Sequence, residues 1–135
     1  TNNNGTVDAG ELPIGGVDVV LYRDNGNGTF DATSDTLLGT QTTSGSGLYL
    51  FTGLTPGNYF VQIPQAEFST GQPLSGYQNS SGQTSGDTNN ADHGVAAPVA
   101  GQGIVSDLVT LSAGGEPTTD GDGANSNLTI DFGFY

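Results

Sequence analysis

The sequence predicts an all-β protein: an antiparallel β-sandwich of the Greek-key, immunoglobulin-like kind, with about seven strands and long ordered loops. Three observations carry this expectation. Helical patterning is nearly absent, because Gly, Pro, Asn, Ser and Thr interrupt every stretch before a helical period can establish itself. Short segments alternate apolar and polar residues, as half-buried strands do. Turn clusters such as "SGSG", "TPGN", "SAGGEP" and "DGDGANSN" punctuate those segments.

Each strand has its own signature. "VDVVLY" places Val17, Val19 and Leu21 on one face and Asp18, Val20 and Tyr22 on the other. "TLLGTQTT" (Thr36 to Thr43) is Thr-rich and extended, and "LYLF" (Leu48 to Phe51) reads as a short buried strand. "GNYFVQIP" sets Tyr59, Val61 and Ile63 against Phe60 and Gln62. "GIVSDLVTL" (Gly103 to Leu111) alternates again, and "NLTIDFGFY" aligns Leu128, Ile130, Phe132 and Phe134. One segment departs from this rhythm. Ser69 to Ala100 is polar and Gly/Ser-rich, too long for an ordinary connection, and reads as a loop excursion within a single domain spanning 1–135.

Between the strands lie acidic clusters with the spacing of calcium loops. An EF-hand-type loop places oxygens at positions 1, 3, 5, 7, 9 and 12, with Gly at 6 for the sharp turn. In "TNNNGTVDAGE", Gly5 takes position 6 and Asn2, Asn4, the Thr6 carbonyl, Asp8 and Glu11 fall on ligand positions. The first ligand would precede Thr1. In "RDNGNGTFDATSD", Gly28 takes position 6, and Asn25, Asn27, the Thr29 carbonyl and Asp31 follow the register. Arg23 stands at position 1 and cannot ligate, so Asp24 beside it must substitute; Ser34 stands at 12, with Asp35 one further. "GDTNNADHG" offers Asp87, Asn89, Asn90 and Asp92 inside the excursion, as a third site that would order it. "DGDGANSN" is weaker, since Asp-Gly pairs are ordinary turns. The expected cofactor is Ca2+, two or three ions.

Composition narrows the function. One basic side chain, Arg23, faces fourteen acidic residues, for a net charge of -13. That excludes nucleic acid and direct contact with anionic membranes, both of which require Lys and Arg against phosphate. Without Lys, a Lys–Asn isopeptide cross-link cannot form. Without Cys, neither disulfides nor thiolate chemistry is available, and bound metal becomes the natural staple for a thin-cored domain. His93, the single His, reads as a solvated loop residue. No Ser/His/Asp constellation, nucleophile elbow or phosphate-binding Gly loop is present, so no enzymatic activity is expected. Tyr22, Tyr49, Tyr59, Tyr77 and Tyr135 read as core and strand-face residues rather than a sugar platform.

"TNNNGTVDAGELPIGGVDVVLYRD", "TTSGSGLYLFTGLTPGNYFVQIP" and "NLTIDFGFY" together resemble the B domain of serine-aspartate-repeat surface adhesins, the SdrD-B-like modules. The pattern G-x-Y-x-F-x-x-L-x-P-G-x-Y-x-V is met at Gly47, Tyr49, Phe51, Leu54, Pro56, Gly57, Tyr59 and Val61, and D-x-G-F-Y at Asp131 to Tyr135. The resemblance implies a calcium-stiffened sandwich of the Cna-B or prealbumin-like kind that acts as a stalk, with Asn2, Asn4, Thr6, Asp8 and Glu11 as its first loop. Family modules begin with a strand ending in the position-1 aspartate, and both are missing before residue 1. Three explanations are open: a shortened fragment, a module cut from a tandem array, or a strand supplied by a neighbour.

The reading is therefore a non-enzymatic extracellular module, a stalk or filament subunit at a bacterial cell surface or in a secreted filament. It is rigidified by calcium, and its partners are neighbouring copies or tandem modules of the same protein. The alternative is an adhesin module that binds a host protein or glycan through the excursion and exposed Tyr side chains.

Overall fold

The computed structural model describes residues 3–6, 8–83, 91–114 and 130–135. Within them the chain is all-β apart from one 3-10 turn, Gln65–Phe68. Six strands form one antiparallel sheet: β1 (Asp18–Arg23), β2 (Thr36–Thr42), β3 (Gly57–Ile63), β4 (Val95–Ala96), β5 (Ile104–Val105) and β6 (Val109–Leu111). The order is β2-β1-β3-β5-β4, with β6 also paired to β3. β3 runs through the middle; β1 lies between it and β2, opposite β2 from Asp18↔Thr42 and opposite β3 from Val20↔Gln62.

The alternation expected of β1 and β3 is what divides the interior. Val17, Val19 and Leu21 of the first run join Tyr59, Val61 and Ile63 of the second on one face. Ile14, Tyr49, Phe51, Leu54, Ile130, Phe132 and Phe134 cover that face from a second layer, which completes the sandwich arrangement. Val20, Tyr22, Phe60 and Val105 occupy the other face, closed by Phe30. The three described residues of the C-terminal alternation, Ile130, Phe132 and Phe134, point as their period requires; Leu128 lies outside the described residues.

Three expectations are corrected. "LYLF" is not a strand: its backbone forms no ladder, and Leu48 and Leu50 are exposed at 71% and 51%. Its period-2 pattern still serves, since Tyr49 and Phe51 face the core and the Tyr49 hydroxyl donates to the Ile130 carbonyl at 2.6 Å. "GIVSDLVTL" is two strands, not one. The Ser106 hydroxyl takes the Val61 N–H at 3.0 Å where a ladder carbonyl would stand, and the run breaks there.

The excursion is the third correction. Its described parts are not coreless. Leu74 is fully buried in the main cluster, Ala91 is buried at 3% exposure, and Val95–Ala96 forms a sheet strand. Gln78 and Tyr135 exchange backbone hydrogen bonds at 2.9 and 3.0 Å, and the Ser80 N–H donates to the Gly133 carbonyl at 2.9 Å. The polar composition hid a segment held by a few apolar anchors and by backbone pairing.

Candidate metal centre

Residues 24–35 form a hairpin loop folded back over the sheet. Gly26 and Gly28 adopt positive φ (103° and 69°), which lets the chain turn tightly enough to aim successive oxygens inward. The Asp24 carboxylate accepts the Gly28 N–H at 3.1 Å, the Asn25 side-chain oxygen accepts the Asn27 N–H at 3.0 Å, and that of Asn27 accepts the Thr29 N–H at 2.8 Å. Asp35 is buried, and its two oxygens accept the Asn25 and Asp31 N–H groups at 3.1 and 2.9 Å. Asp24, Asn25, Asn27, Thr29, Asp31 and Asp35 thus share one loop whose hydrogen bonds run from Asp24 to Asp35. Arg23 is engaged elsewhere: its guanidinium lies 5.9 Å from the Tyr59 ring centre and donates to Thr55 and the Pro56 carbonyl at 3.4 Å.

Two anchors of this loop were not legible as functional residues. Phe30 is 1% exposed and plugs between Tyr22 and Phe60, with ring centres 5.2 and 5.6 Å away. Gln102, seventy-one positions from Asp31, donates to an Asp31 oxygen at 3.0 Å and accepts the Ala32 N–H at 3.0 Å. A lone aromatic in an acidic, Gly-rich loop was an available signal for Phe30. Nothing in sequence marks Gln102.

The Gln102 hydrogen bond is the largest cause, ahead of the Thr33 amide and hydroxyl, that holds the Asp31 carboxyl below its ordinary value. A carboxyl depressed in the folded state contributes stability above the ordinary carboxylate pKa of 3.8, and loses it as pH falls through the native value. Gln102→Ala is expected to move the Asp31 titration upward, toward that ordinary value. Carboxyl NMR on both proteins checks this, and an unmoved Asp31 curve would remove Gln102 from the account.

The opening loop is ring-like as well. Asn4 accepts the Thr6 N–H at 3.0 Å and donates to an Asp8 carboxylate oxygen at 2.8 Å, while a Glu11 oxygen accepts the Asp8 N–H at 3.1 Å. Gly5 has the positive φ (74°) expected at the sharp turn. It is also buried where the chain crosses residue 82: a Cβ there would stand 2.6 Å from the Gly82 carbonyl oxygen. Asn2, Asp87 and Asn89 lie outside the described residues, as does the 120–127 cluster.

Asp92 does not stand with a loop of its own. Its backbone N–H donates to the Gly5 carbonyl at 2.8 Å, and residue 92 bridges Asp131 in parallel register. One carboxylate oxygen accepts the N–H groups of Gly94 and Gly133 at 2.8 and 3.0 Å. Burial pushes the Asp92 carboxyl above its ordinary value, and the nearby Asp131 charge adds to that, against the opposing amide hydrogen bonds and His93. His93, expected in solvent, is 2% exposed; its ring Nδ1 accepts the Asp131 N–H at 3.2 Å, and its backbone N–H donates to the Asp131 carbonyl at 2.9 Å. Pairing with the C-terminal segment, which sequence cannot foresee, draws it inside.

Among the described residues no three His, Asp or Glu side chains gather closely enough to form a metal-ligating group on their own. Any ion would need the mixed carboxylate, amide and carbonyl oxygens that calcium accepts.

The sequence profile of the SdrD B-like domain matches residues 1–134. The chain is similar to serine-aspartate repeat-containing protein F of Staphylococcus epidermidis (strain ATCC 12228 / FDA PCI 1200), with 33% identity over 135 residues. That match covers 100% of this chain and 6% of the relative. It is also similar to Colossin-B of Dictyostelium discoideum, with 33% identity over 62 residues, covering 46% of this chain and 2% of the relative. No solved structure gives a significant match. The chain therefore spans a small fraction of the length of the curated relatives it matches.

Proposed function

We propose that this chain, which belongs to the SdrD B-like domain family, works as a non-enzymatic structural module of a much longer extracellular surface protein, stiffened by calcium at its acidic loops. The observation that carries the reading is the 24–35 loop. Its oxygens are turned inward by the loop's own amides, it is pinned beneath by Phe30, and Gln102 clasps it from a distant strand end. An ion there would lock a long polar connection onto the sheet, and a stalk needs that rigidity more than it needs a deep core. Calcium would also relieve part of the repulsion within a chain of net charge -13. Neighbouring modules of the same protein are the partners such an element requires.

Amide hydrogen exchange over residues 24–35 tests the reading. Protection is expected to rise in calcium and fall in chelator. Equal exchange in both conditions would sink it.

Assembly by strand addition has an observation in its favour. β2 ends the sheet, and Leu37 and Leu38 on it are exposed at 58% and 45%. An edge of this kind invites pairing with a neighbour. Light scattering that finds only monomers at high concentration, with calcium and without, would remove the assembly part alone.

A further inference from the structure

We infer that two copies of this chain meet through an uncharged face centred on Leu12, Leu48 and Leu50. Residues 36–66 carry no Asp, Glu, Lys or Arg, although fifteen such residues are spread over the rest of the chain. The acids that bound this stretch, Asp35 and Glu67, are both buried and lend it no surface charge. Within it the side chains alternate, with Tyr49 and Phe51 turned to the core and Leu48 and Leu50 to solvent. Leu12, 81% exposed, belongs to the same patch, because its neighbour Pro13 lies against Gly47: a Cβ on Gly47 would stand 3.0 Å from the Pro13 Cβ. The two runs are tied further by the Thr43 hydroxyl, which donates to the Ile14 carbonyl at 2.9 Å, and by the Gly16 N–H, which donates to the Thr43 carbonyl at 2.9 Å. Glu11, beside Leu12 in sequence, is turned back into its own loop, where its carboxylate accepts the Asp8 N–H.

Single exposed leucines are ordinary, but three gathered on a face without charge mark a contact surface. Ser44, Ser46 and Thr52, all exposed, supply the neutral polar rim that such a centre needs. The charge of the whole chain selects the occupant. At -13, two copies repel one another in most orientations, and their acidic loops cannot be brought together without like-charge contacts. The neutral face is where a partner of the same charge comes closest. A basic partner would be steered to the acidic loops instead and would gain nothing here. Leucines on identical faces are self-complementary, which suits contact about a twofold axis. Three leucines and their rim make a smaller contact than the roughly 800 Å² per partner of a stable complex, so the dimer is weak and concentration-dependent. Contact through this face needs neither strand addition at β2 nor calcium.

The test is sedimentation equilibrium of the whole chain from about 10 μM to about 1 mM, the range of weak complexes. It is run at about 0.1 M and about 1 M salt, where charges act over about 10 Å and about 3 Å. The parent is expected to dimerise, and more tightly at the higher salt, because repulsion between the copies is screened. Leu48→Ser and Leu50→Ser are each expected to weaken the dimer, and Leu48→Glu to weaken it at least about tenfold. Leu37→Glu puts the same new charge on the β2 edge and should leave the dimer within about threefold of the parent. All four positions are exposed, so melting temperatures should stay near that of the parent; should Leu48→Glu fail to fold, the two serine variants decide. A parent that stays monomeric at both salts would overturn the shared face, as would a dimer that is tighter at low salt. A dimer untouched by the Leu48 and Leu50 changes but lost in Leu37→Glu would overturn it too, and would assign association to the β2 edge. None of these outcomes bears on calcium binding.

Discussion

Phe30→Ala is expected to cost about 3–5 kcal/mol, the usual loss for truncating a buried aromatic. The ring is 1% exposed and packs edge-on against Tyr22 and Phe60, so its removal leaves a cavity on the face of the sheet away from the main core. Little else can fill that cavity: Ala32 and Ala97 are the partly buried apolar neighbours, and both are small. The effect reaches past stability. Phe30 sits between Thr29 and Asp31, so losing it frees the loop whose oxygens are proposed to hold an ion. Denaturant unfolding should therefore show a large drop in stability, and calcium affinity should fall with it. A loss below about 1 kcal/mol, in the range of an ordinary surface change, would mean that the loop is not anchored by this ring.

How far the sequence speaks depends on which force sets each element. β1 and β3 are legible because a period of two under a buried face permits only one register. Val19 and Tyr22 had to fall on opposite sides, and they do. "LYLF" misleads because alternation reports burial of every second residue, not a hydrogen-bonded partner: Tyr49 and Phe51 turn inward with no ladder beside them. The excursion misleads for the opposite reason. Its composition is that of a linker, yet Leu74 carries it into the main core, and backbone pairing at residues 78–80 and the strand Val95–Ala96 hold it to its neighbours.

The same division holds for the acidic residues. The contents of the 24–35 loop could be read from spacing, because ligand spacing and positive-φ glycines are local properties. Where Arg23 goes could not, since it is drawn off by Tyr59 and the Pro56 carbonyl, a tertiary matter. Asp92 was legible as an acid of interest, but grouped with Asp87 and Asn89 by proximity in sequence. Its observed neighbours, Glu11 and Asp131, come from opposite ends of the chain.

The second large effect is that of calcium itself. A ligand that binds only the folded state adds RT ln(1 + [L]/Kd), about 2.7 kcal/mol per site at a hundredfold excess over Kd. Two occupied sites would supply about 5 kcal/mol, comparable with the lower end of the stability of ordinary domains. Such a contribution is credible here because the described core is thin, and because Asp35 and Asp92 are buried acids with no Lys or Arg among their hydrogen-bond partners. Each kcal/mol is worth about 2–8 °C in domains near this size. The decisive measurement is the melting temperature of the parent chain in millimolar calcium and again in excess chelator. A rise of at least about 10 °C in calcium is predicted. The same melting temperature in both conditions would contradict the account.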